Sequence, residues 1–463
     1  MNKAVINHIR KFTTFEWLVF IKVLENQTEE ELKKIEPNSI ELYNLQNFNW
    51  YVILADLALR LAEYERTKVN FKQLPTPDDY RKYISLYLNS SDNESNFTKD
   101  LNYSLNLALS KYGYEQMKRY APPVNDLGRL IKLYGGIESV FQEKFGLLPK
   151  QAVYFYTLNN AKHEIYEPFD FKNMLRLLQG YDSTITENRL QTFLNIFSIT
   201  IKDYRLSAKN EGITKTTVKS KRLIEKYPII CLDKNYLYFI PSIHVLLESL
   251  SHKIFEKLKE LQKNSDAFQR KFGDVFEDYI RALTQFSHKE HFYECNQLIQ
   301  EDHQKKAEFY LVKDDIAIIV EAKLLHIDEQ IILNGSSVDL ERKFKNTIRT
   351  AVEQIQSCFE KIDKGHQYGL IVIHTHIPLL ETYTKQFEGR KGFDFLNNIK
   401  IISIIDYEIL IHNEIESIFD YLKQDDENKQ QIALSFEQRN PFCEQSVLDL
   451  VDELSDKTPD MLQ

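Results

Sequence analysis

Over the first 204 residues, hydrophobic side chains recur at the spacing of an α-helix, in windows separated by polar residues. Residues 12–24 and 50–64 form the most strongly apolar windows, and a period near 3.6 residues predicts a helix that buries one face. The same pattern predicts further helices over residues 80–88, 127–134, 137–145, 150–157, 171–178 and 187–204. No repeat of about 34 or about 40 residues is present, so a helical domain over residues 1–204 is predicted rather than a solenoid.

The pattern changes between residues 205 and 265. The most basic run of the chain spans residues 202–226, with the side chains Lys202, Arg205, Lys209, Lys215, Lys219, Lys221, Arg222 and Lys226. Such a run is either a segment that contacts phosphate groups or a solvated linker, and the residues favour both interpretations about equally. A β-hairpin over residues 228–240 and an amphipathic helix over residues 243–261 follow, so this unit is predicted to be a connector.

From residue 266 onwards the pattern predicts a mixture of helices and strands. A helix over 268–283 precedes strands at 291–299, 308–312 and 316–320, and then come a helix over 339–362, a strand over 369–373, a helix over 387–398 and a strand from 399. These elements predict a second domain over residues 266–422. Residues 423–463 are acidic and polar, and they are predicted to form a tail that is ordered only in part.

Charged side chains stand where the third strand ends. The apolar run 316–320 continues directly into Glu321, Ala322 and Lys323, and alternation along a strand places Glu321 and Lys323 on one face. Glu308 on the neighbouring strand is predicted to bring a second carboxylate to that face. Buried charges are costly unless they are paired or used, and two carboxylates with a lysine suit a hard divalent cation and an activated water.

This arrangement resembles the PD-(D/E)XK nuclease superfamily, in which a strand carrying an acid precedes a strand that ends in (D/E)-x-K, and a helix follows. Here the motif is Glu321-Ala322-Lys323, and Glu308 stands where the family usually has Asp. The resemblance covers about the last two fifths of the chain. It implies an α+β chain: a mainly α-helical N-terminal region followed by an α/β restriction-endonuclease-like nuclease domain with a mixed central sheet.

The resemblance also implies roles for individual residues. Glu308, Glu321 and the carbonyl oxygen of Ala322 would bind Mg²⁺, with Mn²⁺ able to substitute for it. The catalytic side chains would be Glu277, Glu308, Glu321, Lys323 and Gln354. The basic residues on the helix after the motif that would contact nucleic acid are Lys343, Lys345 and Arg349.

By the same resemblance, the expected reaction is metal-dependent hydrolysis of phosphodiester bonds, with DNA as substrate and RNA as the alternative. Nuclease domains joined to a large helical region resemble prokaryotic restriction and anti-phage defence proteins, so the helical region is expected to bind a partner protein or a second copy of the chain. Two other classes stay open. The chain is alternatively a catalytically inactive nuclease-like binding module, or a structural subunit whose partner contacts the nucleic acid.

Simpler interpretations of the motif residues also stay open. With 27% charged residues, Glu-x-Lys triplets arise by chance, and this one is alternatively an ion pair that caps a structural sheet. Asp302, Asp314 and Asp315 are alternatives to Glu308 as the first acid, although the last two are expected to be exposed in a turn. His374 and His376 have no third ligand at a suitable spacing, so a structural strand end is the favoured interpretation.

Composition narrows the classes further. A chain of 463 residues predicts two or three domains, and its net charge of −9 means that nucleic-acid binding needs a local basic face or a partner. The four cysteines form no C-x-x-C pair, which argues against a zinc site or a disulfide framework. The sequence shows no signal peptide, membrane span, P-loop or nucleophile elbow, so a cytoplasmic protein without membrane contact is expected.

Overall fold

The structure is a computed structural model with an α+β fold. It describes residues 3–25, 50–62, 74–91, 123–161, 168–210, 222–233, 237–297, 306–325, 337–374, 398–423, 436 and 439–457. Helices are combined with two mixed sheets, of four and five strands. Within these ranges, the helices are all too short or too polar to cross a membrane.

The helices of the N-terminal half divide between two hydrophobic cores. They are α1 (Lys3–Ile9), α2 (Thr14–Glu25), α3 (Trp50–Leu61), α4 (Pro77–Ser91), α5 (Pro123–Gly135), α6 (Glu138–Phe145), α7 (Pro149–Ala161), α8 (Phe171–Tyr181), α9 (Glu187–Phe197) and α10 (Ile201–Asn210). One core gathers α1 to α4 with α10 around the buried Trp17. The other joins α5 to α9 to the five-stranded sheet, so these helices form part of the support of that sheet.

The first sheet interrupts a segment for which the sequence predicts a single helix. β2 (Ser198–Thr200) separates α9 from α10 and pairs in parallel with β3 (Ile229–Asp233). Ile199 and Thr200 are β-branched and favour extended backbone, and β3 supplies the hydrogen-bond partners that the helix would have supplied. β4 (Leu237–Phe239) runs antiparallel to β3 and confirms the predicted hairpin, and β1 (Phe169–Asp170) pairs with β4.

Two described side chains of the basic run, Arg205 and Lys226, make internal contacts, whereas Lys202 and Lys209 are exposed. Arg205 on α10 donates from Nε to the carbonyl of Leu59 (2.9 Å) and from its terminal nitrogen to that of Ala62 (2.6 Å), which satisfies carbonyl groups at the end of α3. Lys226 ends α11 (Arg222–Lys226) and pairs with Glu260 at 3.1 Å. Residues 211–221 lie outside the described residues, so a phosphate-contacting role for them stays a prediction.

The predicted connecting helix over residues 243–261 is two helices, α12 (Ile243–Ser251) and α13 (Ile254–Glu260). The second sheet and its helices follow as α14 (Ser265–His288), β5 (Phe292–Glu294), β6 (Phe309–Lys313), β7 (Ile316–Lys323), α15 (Ser337–Phe359), β8 (His366–Ile373), β9 (Ile399–Ser403), α16 (Ile404–Leu410) and α17 (Ile415–Lys423). The strand order is β5-β6-β7-β8-β9. β5, β6 and β7 are antiparallel, whereas β7, β8 and β9 are parallel, so the prediction of a mixed sheet is confirmed.

Two predicted strand bounds in this region were wrong, and one predicted helix lies almost wholly outside the described residues. Among the described residues, the strand predicted over 291–299 covers only β5, because 3₁₀ turns over Lys289–His291 and Cys295–Gln297 flank it. β6 begins at Phe309 rather than at Glu308. The helix predicted over residues 387–398 lies in 375–397, outside the described residues, apart from its last position.

Helices cover both faces of the central strand β7. Ile318 and Val320 share a core with α14, whereas Ile319 on the opposite face shares a core with α15. A strand that is buried on both faces reads as a continuous apolar run, which is why residues 316–320 lack polar positions. The preceding turn has a positive φ of 51° at Asp314 and leaves Asp314 and Asp315 exposed, as the sequence predicts.

The predicted polar tail contains a long helix, α18 (Pro441–Lys457). Its buried positions, Cys443, Ser446 and Leu450, recur at helical spacing and pack on α5. At Gly128 on α5, an added Cβ would lie 2.2 Å from the carbonyl oxygen of Cys443, so only glycine permits this approach. Although the segment is acidic overall, its few buried positions lie on one face of α18, and that face packs on α5.

A buried ion pair ties α5 to the helix after β9. Arg129 donates from Nε and a terminal nitrogen to both carboxylate oxygens of Glu408, at 2.7 and 3.0 Å, and from its other terminal nitrogen to Asp126 at 2.9 Å. Tyr279 on α14 donates to the same Glu408 carboxylate at 2.7 Å. This network therefore fixes α14 relative to both the N-terminal helices and the sheet.

Replacing Arg129 with methionine should lower the free energy of unfolding by about 3–5 kcal/mol, because two buried carboxylates lose their cation. Urea denaturation measures the change. Arg176→Met removes an exposed arginine and should change stability by no more than about 0.5 kcal/mol. Equal effects of the two substitutions would contradict the role of the network.

Candidate active site

The end of β7 carries a buried carboxylate with two hydrogen-bond donors. Glu321 has no exposed surface; one of its carboxylate oxygens contacts the ammonium group of Lys323, and the other accepts a hydrogen bond of 3.0 Å from the backbone N–H of Glu308. The prediction that Glu321 and Lys323 share a face is confirmed. The Lys323 side chain keeps 19% of its surface exposed, so solvent reaches the ammonium end of this pair.

Glu308 precedes the first residue of β6, next to Glu321 across the β6–β7 ladder. Phe309 pairs with Val320, so the following pair in this register is Glu308 with Glu321. The side chain of Glu308 is directed towards α14, where Arg281 donates to one of its oxygens at 3.0 Å. The structure therefore brings Glu308 close to Glu321 through its backbone, while its carboxylate pairs with an arginine.

Glu277 is the third acid of this cluster. It lies on α14, one helical turn before Arg281, and it interacts electrostatically with both Glu308 and Lys323. Burial and the charge of Glu308 raise the pKa of Glu277 to about 7, against the opposing effect of Lys323. Three acids, one on α14, one just before β6 and one at the end of β7, thus influence each other's charge.

Burial also dominates the electrostatics of Glu321. It raises the pKa of Glu321 to about 8, with Lys323 lowering the pKa and the carboxylates of Glu308 and Glu277 raising it. Desolvation of a carboxylate and repulsion by like charges both favour the protonated form. At neutral pH the protonated form of Glu321 is therefore favoured in the metal-free protein.

The donor set suits Mg²⁺ or Mn²⁺ in its chemistry, because all three side chains offer carboxylate oxygens. In the described parts of the chain, however, no three His, Cys, Asp or Glu side chains are arranged to hold an ion together. Arg281 holds the carboxylate of Glu308, and Lys323 contacts that of Glu321. Ala322, whose side chain is fully buried, contributes no side-chain donor. Metal binding by Glu308, Glu321 and the Ala322 carbonyl stays a prediction.

Gln354 supports the segment that carries Glu308. On α15, its amide nitrogen donates to the carbonyl of Lys306 at 2.8 Å, two residues before Glu308. Its amide oxygen is buried and makes no hydrogen bond to the described residues. Gln354 thus stabilises the segment that leads into β6, and its catalytic role stays a prediction.

The predicted nucleic-acid contacts on α15 are described only in part. Arg349 is exposed and donates to Glu353 at 3.1 Å, one turn further along the helix. Lys343 and Lys345 lie within the helix, but their side chains are outside what the structure describes. Asp302, the alternative first acid, and His376, the alternative metal ligand, lie outside the described residues.

His374 occupies an aromatic environment at the end of β8. Its ring lies 5.0 Å from that of Phe255, 5.1 Å from that of Phe272 and 5.5 Å from that of Phe276, between ring centroids. Its backbone N–H donates to the carbonyl of Lys323 at 3.4 Å. These contacts fit the interpretation of His374 as a structural residue at a strand end, packed against aromatic rings and hydrogen-bonded to the last residue of β7.

Sequence reasoning missed Arg281 and its partner Glu294. Arg281 lies four residues after Glu277, so both occupy one face of α14, and this spacing is the signal that could have identified it. Nothing in the sequence shows that Glu294, on the edge strand β5, reaches the same guanidinium at 3.2 Å.

Comparison with known proteins yields no relative: no family model, curated protein or solved structure matches the chain.

The raised pKa of Glu321 predicts that the metal-free protein loses stability as the pH rises. The folded state holds the proton more tightly, so its contribution is complete below the ordinary pKa of 4.5 and is lost as the pH rises through about 8. Denaturant unfolding in EDTA between about pH 5 and about pH 9 measures this decline. Glu321→Gln should make the decline smaller and leave the part that Glu277 contributes, whereas Glu290→Gln, at an exposed position, should leave it unchanged. Identical profiles for wild type and Glu321→Gln would refute the prediction.

Proposed function

We propose that this chain is a metal-dependent nuclease whose C-terminal part is a restriction-endonuclease-like domain of the PD-(D/E)XK type. The observation that supports it most is the electrostatic interaction of Glu277 and Glu308 with the fully buried Glu321, which contacts Lys323 at the end of β7. A pair of charges that merely capped a sheet would not need two further carboxylates that raise the cost of ionising the first.

The order of elements also supports the proposal. A helix, three antiparallel strands, a helix and a further strand parallel to the motif strand follow one another from α14 to β8. This is the order that the resemblance implies. Glu321 and Lys323 lie at the C-terminal end of β7, where the ammonium group of Lys323 is partly exposed and Glu321 is buried beside it.

Each residue of the proposed site would have a separate role in the reaction. Glu308, Glu321 and the carbonyl of Ala322 would hold Mg²⁺, which when bound lowers the pKa of a coordinated water. The ammonium group of Lys323, partly exposed beside Glu321, would donate to the water or to a phosphate oxygen as negative charge develops. Glu277 faces the same cluster and would position the water.

DNA is the proposed substrate, with RNA as the alternative, and both rest on the resemblance. The exposed guanidinium of Arg349 would contribute a phosphate contact from the helix after the motif. A role in prokaryotic restriction or anti-phage defence, in the cytoplasm, is proposed on the same ground. The helical region would then recruit a partner protein or a second copy.

Cleavage of plasmid and single-stranded DNA in Mg²⁺ or Mn²⁺ tests the proposal. Glu321→Gln and Lys323→Met should each reduce the rate by about 10² or more, because they remove charge that acts on the transition state. Glu290→Gln and Lys289→Met remove the same charges at exposed positions and should cleave as the wild type does.

One observation favours a second candidate, an inactive nuclease-like binding module: the carboxylate of Glu308 is paired with Arg281 rather than directed towards Glu321. In that case DNA binding would fall steeply with salt while no cleavage occurs with either metal. If the protein is folded and gives that result, the proposal of an enzyme is wrong and the binding module takes its place.

A further inference from the structure

Arg281 distributes its guanidinium among three carboxylates next to the proposed catalytic cluster. One terminal nitrogen lies 2.6 Å from Asp278, Nε lies 3.2 Å from Glu294, and the other terminal nitrogen lies 3.0 Å from Glu308. The side chain is 27% exposed and that of Glu308 is 20% exposed. Arg281 thus binds one acid of the cluster and two acids outside it.

The geometry makes the contact with Glu308 separable from the other two. Each acid is bound by a different nitrogen of the rigid fork. If Glu308 turned away, Asp278 and Glu294 would still neutralise the guanidinium, so Arg281 would need no new partner. A partly exposed ion pair contributes little net stability, and a divalent cation offers Glu308 a stronger attraction at the same place.

We propose that Arg281 is a positioning residue that competes with the divalent cation for the carboxylate of Glu308. Without the cation, Arg281 neutralises Glu308 and holds its side chain against α14. With the cation, Glu308 turns towards Glu321, while Arg281 remains on Glu294 and Asp278. This inference rests on the proposed function, because it assigns Glu308 to the cation.

The competition accounts for a feature of the site that the sequence does not predict. Glu308 and Glu321 are adjacent across the ladder, and the backbone N–H of Glu308 donates to the Glu321 carboxylate, yet the two side chains are bound to different cations. Release of Glu308 by Arg281 would make its carboxylate oxygens available to a cation beside Glu321.

Mn²⁺ binding to the full chain, followed by the electron paramagnetic resonance signal of free Mn²⁺, tests the proposal without a cleavage readout. Arg281→Met removes the competing cation at similar length and should lower the dissociation constant by on the order of tenfold. Arg270→Met removes an exposed arginine from the same helix, about 16 Å away along the axis, and should change it by no more than about twofold.

A second pair of variants separates competition from a simple change in net charge. Glu294→Gln should weaken Mn²⁺ binding, because Arg281 then depends more on Glu308. In the Arg281→Met background the same substitution should have a clearly smaller effect, and this coupling is measured by a double-mutant cycle. Arg281→Lys keeps the charge but loses the fork, so intermediate tightening is expected, and it replaces Arg281→Met if that variant does not fold.

The outcomes distinguish this inference from the function on which it rests. If the wild type binds Mn²⁺ and Glu321→Gln abolishes binding, but Arg281→Met binds no more tightly, the competition is overturned and the proposed function stands. If Glu321→Gln leaves Mn²⁺ binding unchanged, or the wild type binds none, both are overturned. Tighter binding by Arg281→Met together with the coupling to Glu294 would support both.

Discussion

The contact between the ammonium of Lys323 and the buried carboxylate of Glu321 is the constraint around which this part of the molecule is organised. Both charges sit at the end of β7, a strand that helices cover on both faces. The backbone N–H of Glu308 supplies the other hydrogen bond to Glu321. Glu321 is thus held without any exposed surface by its place at the strand end and by its contact across the β6–β7 ladder.

Two buried charge clusters in this protein differ in how well their carboxylates are neutralised. In the network at Arg129, one guanidinium binds both oxygens of Glu408 and also Asp126, and Tyr279 completes the hydrogen bonding. Such a cluster is well suited to hold helices together. At Glu321, neighbouring carboxylates add to the cost of burial and raise the pKa, which is unfavourable for stability and is expected at a site that binds a cation.

The sequence predicted the secondary structure here well, and the side-chain geometry only in part. Periodicity identified the elements from α14 to β9, because an apolar run such as 316–320 is diagnostic of a strand covered on both sides. Alternation correctly placed Glu321 beside Lys323, since only one strand is involved. The direction of the Glu308 side chain depends on Arg281, 27 residues away, and no local pattern encodes such a contact. For the same reason the docked helix α18 was missed, because Gly128 on a distant helix is what accommodates it.

We propose that Glu308 and Glu321 jointly hold a divalent cation at the end of β7. Crystals of the wild-type protein soaked in Mn²⁺ and measured for anomalous scattering would locate the ion directly. We expect a peak within about 2.0–2.3 Å of a carboxylate oxygen from each glutamate, with Arg281 bound only to Glu294 and Asp278. A Mn²⁺ peak elsewhere, or Glu308 still paired with Arg281 in fully soaked crystals, would contradict it.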